Sequence, residues 1–323
     1  MNIPAETRFR HEAFLYSGWA EFVSGMVPFI KGGIDAGEPV LVVESPEKIR
    51  LLREALGQDG ESVMFADMAQ VGANPARIIP AWRDFVTRHG TENRRLRGIG
   101  EPIWNGRTAD ELVECQRHES LLNVAFWQGK PWWLVCPYDV EHLDPAVIDE
   151  ARRSHEFVRG GSASAQSTDF RGVEACGACF DVPLPAPKAG SRELTFEAES
   201  LLELRGGVMR FATSSGLSAA RATELVTAVN EVATNSILHG GGRGTLRMWR
   251  DGGNLVCEVR DAGRYDLPLA DRARPGPDLR ESRGLWLANH LCDLVQIRTF
   301  DDGTVVRLHM RVDPRHHLRV VPS

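Results

Sequence analysis

Lysine is scarce in this chain: Lys31, Lys48, Lys130 and Lys188 are the only four among 323 residues, and none is followed by Ser or Thr. A Gly-Lys-Ser/Thr phosphate loop is therefore excluded. No apolar run approaches the roughly 20 residues that a membrane helix needs. Met1 to Arg10 is polar and lacks the apolar core of a secretory signal, so the expected location is the cytoplasm. Positive charge is not in excess either. The net charge is −6 and the pI about 6.0, which leaves no basic footprint for nucleic acid and no general attraction to anionic membranes. There are six cysteines. Cys115, Cys136, Cys257 and Cys292 are scattered through apolar segments and read as small buried hydrophobes, and no disulfide framework is expected. The chain has neither an internal repeat nor a heptad array.

What is present is a globular composition, 42% hydrophobic and 25% charged, at a length suited to two domains. From Arg159 to Ser191 the text turns rich in Gly, Ser, Ala and Pro and loses periodicity, which is linker composition. The expected division is a first domain over 1–160, a flexible linker over 161–190 and a second domain over 191–315. In the first, short apolar runs (Pro39 to Val43, Ser62 to Ala66, Leu96 to Gly100, Trp132 to Cys136) alternate with amphipathic stretches (Ser45 to Leu56, Pro75 to His89, Ala109 to Trp127). That alternation predicts a parallel α/β sheet covered on both faces. The second part predicts an α+β layer pair. Strand-like Glu193 to Phe196 precedes helices from Glu199 to Ser214 and Ala219 to Leu238. A hairpin follows, Gly244 to Trp249 and Leu255 to Asp261, turning at Asp251-Gly252. A helix from Gly284 to Cys292 then leads to strands Leu294 to Phe300 and Thr304 to Val312.

The helix Ala219 to Leu238 carries the chemistry. At about 100° per residue, Leu225, Val229, Val232 and Ala233 share one face, and Glu231, Asn235 and His239 line up on the other at i, i+4 and i+8. Alone, such a triple is a solvated polar stripe. Downstream, however, come Asp261 at a strand end and Arg283-Gly284-Leu285 opening a helix. A nucleotide site needs a carboxylate to take a proton, an oxygen ligand for Mg²⁺, an acceptor that reads the base, and free N–H groups at a glycine-bearing helix N-terminus. Glu231, Asn235, Asp261 and Gly284 supply these in order.

The segment Glu231-Val-Ala-Thr-Asn235-Ser-Ile-Leu-His239-Gly240 resembles the N box of the GHKL ATPases, and specifically that of the anti-sigma-factor serine kinases (RsbW-like proteins). Asp261-Ala262-Gly263 resembles the first glycine box of that class and Arg283-Gly284-Leu285-Trp286-Leu287 the second. Thr304 matches the threonine that accompanies the base-reading Asp. The resemblance spans about residues 191–312 and implies a Bergerat-type α/β sandwich that binds ATP and Mg²⁺. By it, Asn235 ligates the metal, Glu231 activates the attacking hydroxyl, and Asp261 accepts a hydrogen bond from the adenine amino group. His239, Gly263, Arg283, Gly284, Leu285 and Thr304 complete the nucleotide site. Residues 264–282, with Arg272, Arg274 and Arg280, would form a lid over the phosphates. The resemblance further implies phosphorylation of a Ser or Thr on an anti-anti-sigma (STAS) partner, control of a sigma factor, and a homodimer. One position departs from the pattern: Tyr265 stands where the first glycine box has a second glycine. Neither His11-Glu12 nor His118-Glu119 reads as a phospho-acceptor, because no dimerising helix pair precedes the ATPase-like segment.

Residues 8–158 resemble the MEDS sensory domain of methanogen and DcmR-type regulators. The resemblance rests on His11-Glu12-Ala-Phe-Leu-Tyr16, Gly98-Ile-Gly-Glu101-Pro-Ile-Trp104, Glu114-Cys115-Gln-Arg117-His118-Glu119 and Cys136-Pro-Tyr-Asp139. It implies a RecA-like α/β fold that senses a small-molecule or redox signal. Glu12, Glu101, Glu119 and Asp139 are expected near strand ends, where open α/β sheets bind ligands. His11, Cys115 and His118 read either as a metal or redox centre or as buried, satisfied core residues. Cys176-Gly-Ala-Cys179 is a lone CxxC. With no second ligand pair nearby it reads as two solvated thiols, or else as a redox-switchable disulfide.

Overall fold

The computed structural model describes residues 8–91, 94–161, 163–177, 179–187, 190–265, 269–272 and 283–312. Contacts divide the chain into two units, Met1–Phe180 and Asp181–Ser323.

In the first unit seven strands form one sheet. They are β1 (Arg10–Tyr16), β2 (Val40–Glu44), β3 (Met64–Asp67), β4 (Leu96–Gly100), β5 (Trp132–Asp139), β6 (Phe157–Gly160) and β7 (Ala163–Gln166), in the order β3-β2-β4-β5-β1-β6-β7. All pairings are parallel except the β6–β7 hairpin. The helices are α1 (Gly18–Asp35), α2 (Pro46–Leu56), α3 (Met68–Val71), α4 (Ile78–His89), α5 (Ala109–Phe126) and α6 (Pro145–Ser154). Parallel strands need crossovers, and the crossovers cover both faces. On one face Phe22, Met26 and Ile30 of α1 and Leu52 of α2 pack on Phe14, Val42, Ile99 and Val135. On the other, Trp82 of α4 meets Gly98 and Trp132, and a side chain at Gly98 would press on Trp82, Trp132 and Leu134 together. Local sequence sets the helix starts. Ser45 caps α2 ahead of Pro46, and Thr108 with Glu111 forms a reciprocal capping box on α5.

The predicted strands and helices appear within a few residues of their expected places, but β1 was not anticipated. Its text, Arg-His-Glu-Ala-Phe-Leu-Tyr, places charged residues in the centre of a sheet, which hydropathy alone rejects. The chain solves this by pairing: Glu12 accepts from Arg10 and from the Trp133 indole, and lies 3.1 Å from Arg159. The linker expectation also meets a difference. Residues 163–166 extend the sheet as β7, and a short 3-10 turn, Ala175–Gly177, packs against α5. Small residues form that edge hairpin because β7 is exposed along its whole length and needs no apolar face.

The second unit is a two-layer α/β sandwich. Its antiparallel sheet comprises β8 (Arg192–Glu197), β9 (Arg243–Asp251), β10 (Asn254–Asp261), β11 (Leu294–Phe300) and β12 (Gly303–Arg311), in the order β11-β12-β10-β9-β8. Helices α7 (Leu201–Ser214), α8 (Ala219–His239) and α9 (Arg283–Leu291) share a single core with the sheet. Ser218 caps α8. Leu225, Val229, Val232 and Ala233 are fully buried, as the spacing predicts; each large side chain contributes about 1.5–3 kcal/mol of apolar burial. This leaves the Glu231–Asn235–His239 stripe on the side of α8 turned away from that core. Among the described residues no helix is long and apolar enough to cross a membrane.

Candidate functional site

The site is assembled where the C-terminal end of α8 meets the end of β10 and the start of α9. Glu231 and Asn235 lie on the half-buried flank of α8. Gly284, the second residue of α9, is buried directly against them: a Cβ there would lie 3.1 Å from Glu231 Oε2 and 3.2 Å from Asn235 Nδ2. Glycine lets the first turn of α9 approach a carboxylate and an amide closely; a larger residue there would have to push those side chains aside. Leu285 anchors the same turn in the core, and Arg283 is exposed beside it.

Asp261 ends β10 with its carboxylate fixed from two sides. Ser236 Oγ donates to Oδ2 at 2.6 Å and the Gly263 backbone N–H donates to Oδ1 at 2.8 Å. A carboxylate oxygen accepts two bonds, so each retains a free lone pair. The backbone closes tightly around this group. A Cβ on Gly240 would lie 2.5 Å from Asp261 Cγ, and one on Gly263 would lie 2.6 Å from the His239 carbonyl oxygen. Thr304 pairs with Asp261 across β10–β12, and its hydroxyl donates to the Gly263 carbonyl at 2.8 Å, locking the loop. Thr299 in turn donates to the Tyr265 carbonyl at 3.2 Å, and the Tyr265 side chain packs on the core. The tyrosine therefore holds its segment of loop against the sheet.

The structure thus brings Glu231, Asn235 and Gly284 together, and Asp261, Gly263 and Thr304 together, with α8 joining the two groups. His239 is exposed at the helix end, followed by Gly240 as its C-cap. Two contributors were not anticipated: Ser236, which holds Asp261, and Gly240, which makes room for it. The run Gly240-Gly241-Gly242 was the available signal for the second; nothing in the spacing marked Ser236. Of the lid residues, Arg274 and Arg280 lie outside the described residues. Arg272 is corrected: it is 1% exposed, in a short 3-10 turn (Ala270–Arg272) that packs on α9, where Asn289 donates to the Asp271 carbonyl.

In the first unit Glu101 and Asp139 do sit at carboxyl ends of strands. Lys48 forms an ion pair with Glu101, and the Tyr16 hydroxyl donates to Glu101 at 3.0 Å. Buried Glu44 joins them, its carboxyl pushed well up by burial and by the Glu101 charge beside it. Glu12 and Glu119 are instead inside β1 and α5. His11, Cys115 and His118 do not gather. Cys115 donates to the Pro102 carbonyl at 3.3 Å, and burial pushes its thiol up to about 12. His11 turns to other partners. Cys176 is corrected from a solvated thiol to a buried one; it and half-buried Cys179 lie against Asn123 and Ser120 of α5, and both thiols are free.

Residues 10–156 match the model of the MEDS domain, the methanogen/methylotroph, DcmR sensory domain, and residues 194–310 match that of the histidine kinase-like ATPase domain. The N-terminal part of the chain is thus similar to the MEDS domain and the C-terminal part to the histidine kinase-like ATPase domain. Among solved structures it is similar to the RsbU and RsbW domains of Rv1364c from Mycobacterium tuberculosis, at 19% identity and a TM-score of 0.29. That match covers 39% of this chain and 33% of the other, so it spans about a third of that protein's length. No curated protein matches the chain.

Proposed function

We propose that the C-terminal unit binds Mg·ATP and transfers the γ-phosphoryl group to a Ser or Thr of a STAS-type partner, and that the N-terminal unit controls this transfer, and with it a sigma factor, in response to a signal. The observation that carries the reading is the meeting of Glu231 and Asn235 with Gly284 in the first turn of α9. Phosphoryl transfer needs little covalent chemistry from a protein; it needs positioning and charge neutralisation. The residues present fit that demand. Gly284 leaves the space a Cβ would fill, the α9 N–H groups favour phosphate oxygens, and Asp261 keeps lone pairs free to accept from an exocyclic amino group. Asn235 would hold the Mg²⁺, which supplies charge neutralisation at the phosphates when bound. Glu231 would take the proton of the attacking hydroxyl.

The test is transfer of label from radiolabelled ATP to candidate STAS proteins by the full chain. Label on a Ser or Thr of one of them supports the reading. A second reading is favoured by Tyr265, packed on the core where the resembled box has a glycine: a domain that binds ATP and switches partners without turnover. Recovery of a sigma factor by the full chain, with no label on any STAS protein, selects that second reading and overturns the kinase.

A further inference from the structure

Four side chains from four separate elements converge inside the N-terminal unit. His11 comes from β1, Cys136 from β5, Glu119 from α5 and His155 from the C-cap of α6. All are at most 1% exposed. Glu119 Oε2 lies 3.1 Å from His11 Nε2 and 3.2 Å from His155 Nε2, and Cys136 Sγ lies 3.4 Å from His11 Nε2. One ligand atom from each residue falls within 4.8 Å of all the others. A tetrahedron of nitrogen and sulfur ligands at about 2.0 and 2.3 Å from a central zinc has edges of about 3.3–3.5 Å. The three separations of 3.1, 3.2 and 3.4 Å are close to that size.

The hydrogen bonds behind the cluster fix what it presents. His155 Nδ1 lies 2.8 Å from the Ala151 carbonyl oxygen, which can only accept, so Nδ1 carries the hydrogen. His11 Nδ1 lies 3.2 Å from Asn123 Oδ1. The amide of Asn123 cannot be turned round, because its Nδ2 donates to the Ser154 carbonyl at 2.7 Å and the Ser120 carbonyl at 3.2 Å. His11 therefore also donates from Nδ1. Each neutral ring is left with an Nε2 lone pair aimed at the same carboxylate oxygen. His155 Nε2 makes no hydrogen bond, and Glu119 Oε1 has no partner. Three electron-rich atoms then face one another out of reach of water, and one bound cation would satisfy all three at once. Protonating both rings instead would place two imidazolium groups with centroids 3.9 Å apart around one carboxylate.

We infer that His11, Glu119, Cys136 and His155 form a closed, four-coordinate site for a divalent transition metal of the zinc class. Imidazole and thiolate donors favour such an ion over Mg²⁺ or Ca²⁺. On binding, the Cys136 S–H bond breaks, the sulfur bonds the metal and the proton leaves to solvent. One carboxylate and one thiolate then balance the double positive charge, so the buried site is neutral. Ala151 and Asn123 act behind the ligands, orienting the two imidazoles as the partners of metal-bound histidines do. With four protein ligands and no open position, the metal would tie β1, β5, α5 and α6 together rather than take part in catalysis.

The test uses the full chain, expressed with zinc and purified without chelator, then exchanged with Co²⁺. Wild type is expected to hold one zinc per chain by elemental analysis. His142→Ala, which removes the exposed Asp139–Glu141–His142 group, should hold the same, and His155→Gln should lose it. The cobalt form of wild type should show a thiolate-to-metal charge-transfer band that Cys136→Ser lacks. If His155→Gln fails to fold, the cobalt spectra of wild type and Cys136→Ser still decide. A wild-type chain that is folded by circular dichroism but carries neither zinc nor cobalt overturns the site. So does a cobalt form without the thiolate band, or one whose band persists in Cys136→Ser.

Discussion

The full chain carrying Asp261→Asn is expected to bind ATP about 10- to 150-fold more weakly than wild type, with its thermal unfolding unchanged. The separation of the two effects follows from the hydrogen bonds. An Asn at this position can still accept from the Gly263 N–H, now at 2.8 Å from Oδ1. Its amide nitrogen can donate to Ser236 Oγ, whose own hydrogen then turns to the Val232 carbonyl, 3.2 Å away. The loop and the end of α8 therefore keep their bonds. What disappears is the negative charge and the free lone pair of Oδ2, where the amide nitrogen now presents hydrogens to an exocyclic amino group. Hydrogen bonds to a charged group are worth about 1.5–3 kcal/mol, and each 1.4 kcal/mol is a factor of about ten in affinity. The same geometry predicts that wild type discriminates against GTP, which presents a carbonyl oxygen to the carboxylate where ATP presents an amine. Calorimetric titration with both nucleotides, alongside a melting curve, checks this. An unchanged ATP affinity in the variant would remove Asp261 from the base-reading role.

The second large effect is on transfer. Glu231→Gln is expected to lower phosphorylation of a STAS partner by about 100- to 10,000-fold, the usual contribution of a positioned general base, while leaving ATP affinity as it is. Glutamine keeps the size of the side chain beside Gly284, so the α9 N-terminus should stay in place; it cannot take a proton. The result is read as a loss in the transfer rate with the nucleotide dissociation constant unmoved. If transfer continues at the wild-type rate, Glu231 is one more polar residue on the flank of α8. If ATP affinity falls with it, the residue acts in binding instead.

Much of the second unit was legible in its sequence, because its signals are local. An amphipathic period fixes the buried face of α8, the turn around Asp251-Gly252 marks the β9–β10 hairpin, and Glu231 with Asn235 needs only i, i+4 spacing to fall on one flank. The less legible parts depend on contacts between distant residues. Ser236 bonds to Asp261 across twenty-five positions, and no spacing rule connects them. Arg272 reads as an exposed lid residue from its place in the chain, yet it is buried in a turn that packs on α9. In the first unit the polar residues of β1 conceal a central strand, because hydropathy scores His11 and Glu12 as exposed when each is in fact buried against partners far along the chain. The cluster of His11, Glu119, Cys136 and His155 is invisible for the same reason: its members span 144 positions, and only the sheet order brings β1 beside β5. Sequence spacing suggested Cys115 and His118 as companions of His11. They lie on α5 near Glu119, and of that group it is Glu119 that contacts His11, at 3.1 Å.

On this account α8 and α9 together form a site for ATP with its metal. It is tested most directly by titrating ATP into the full chain with Mg²⁺ and again with chelator, for wild type and for Asn235→Ala. The expected result is a wild-type affinity that strengthens when Mg²⁺ is present and a variant that binds equally weakly in both conditions. Equal affinities for the two proteins with Mg²⁺ present, or no ATP binding by wild type at all, would contradict it.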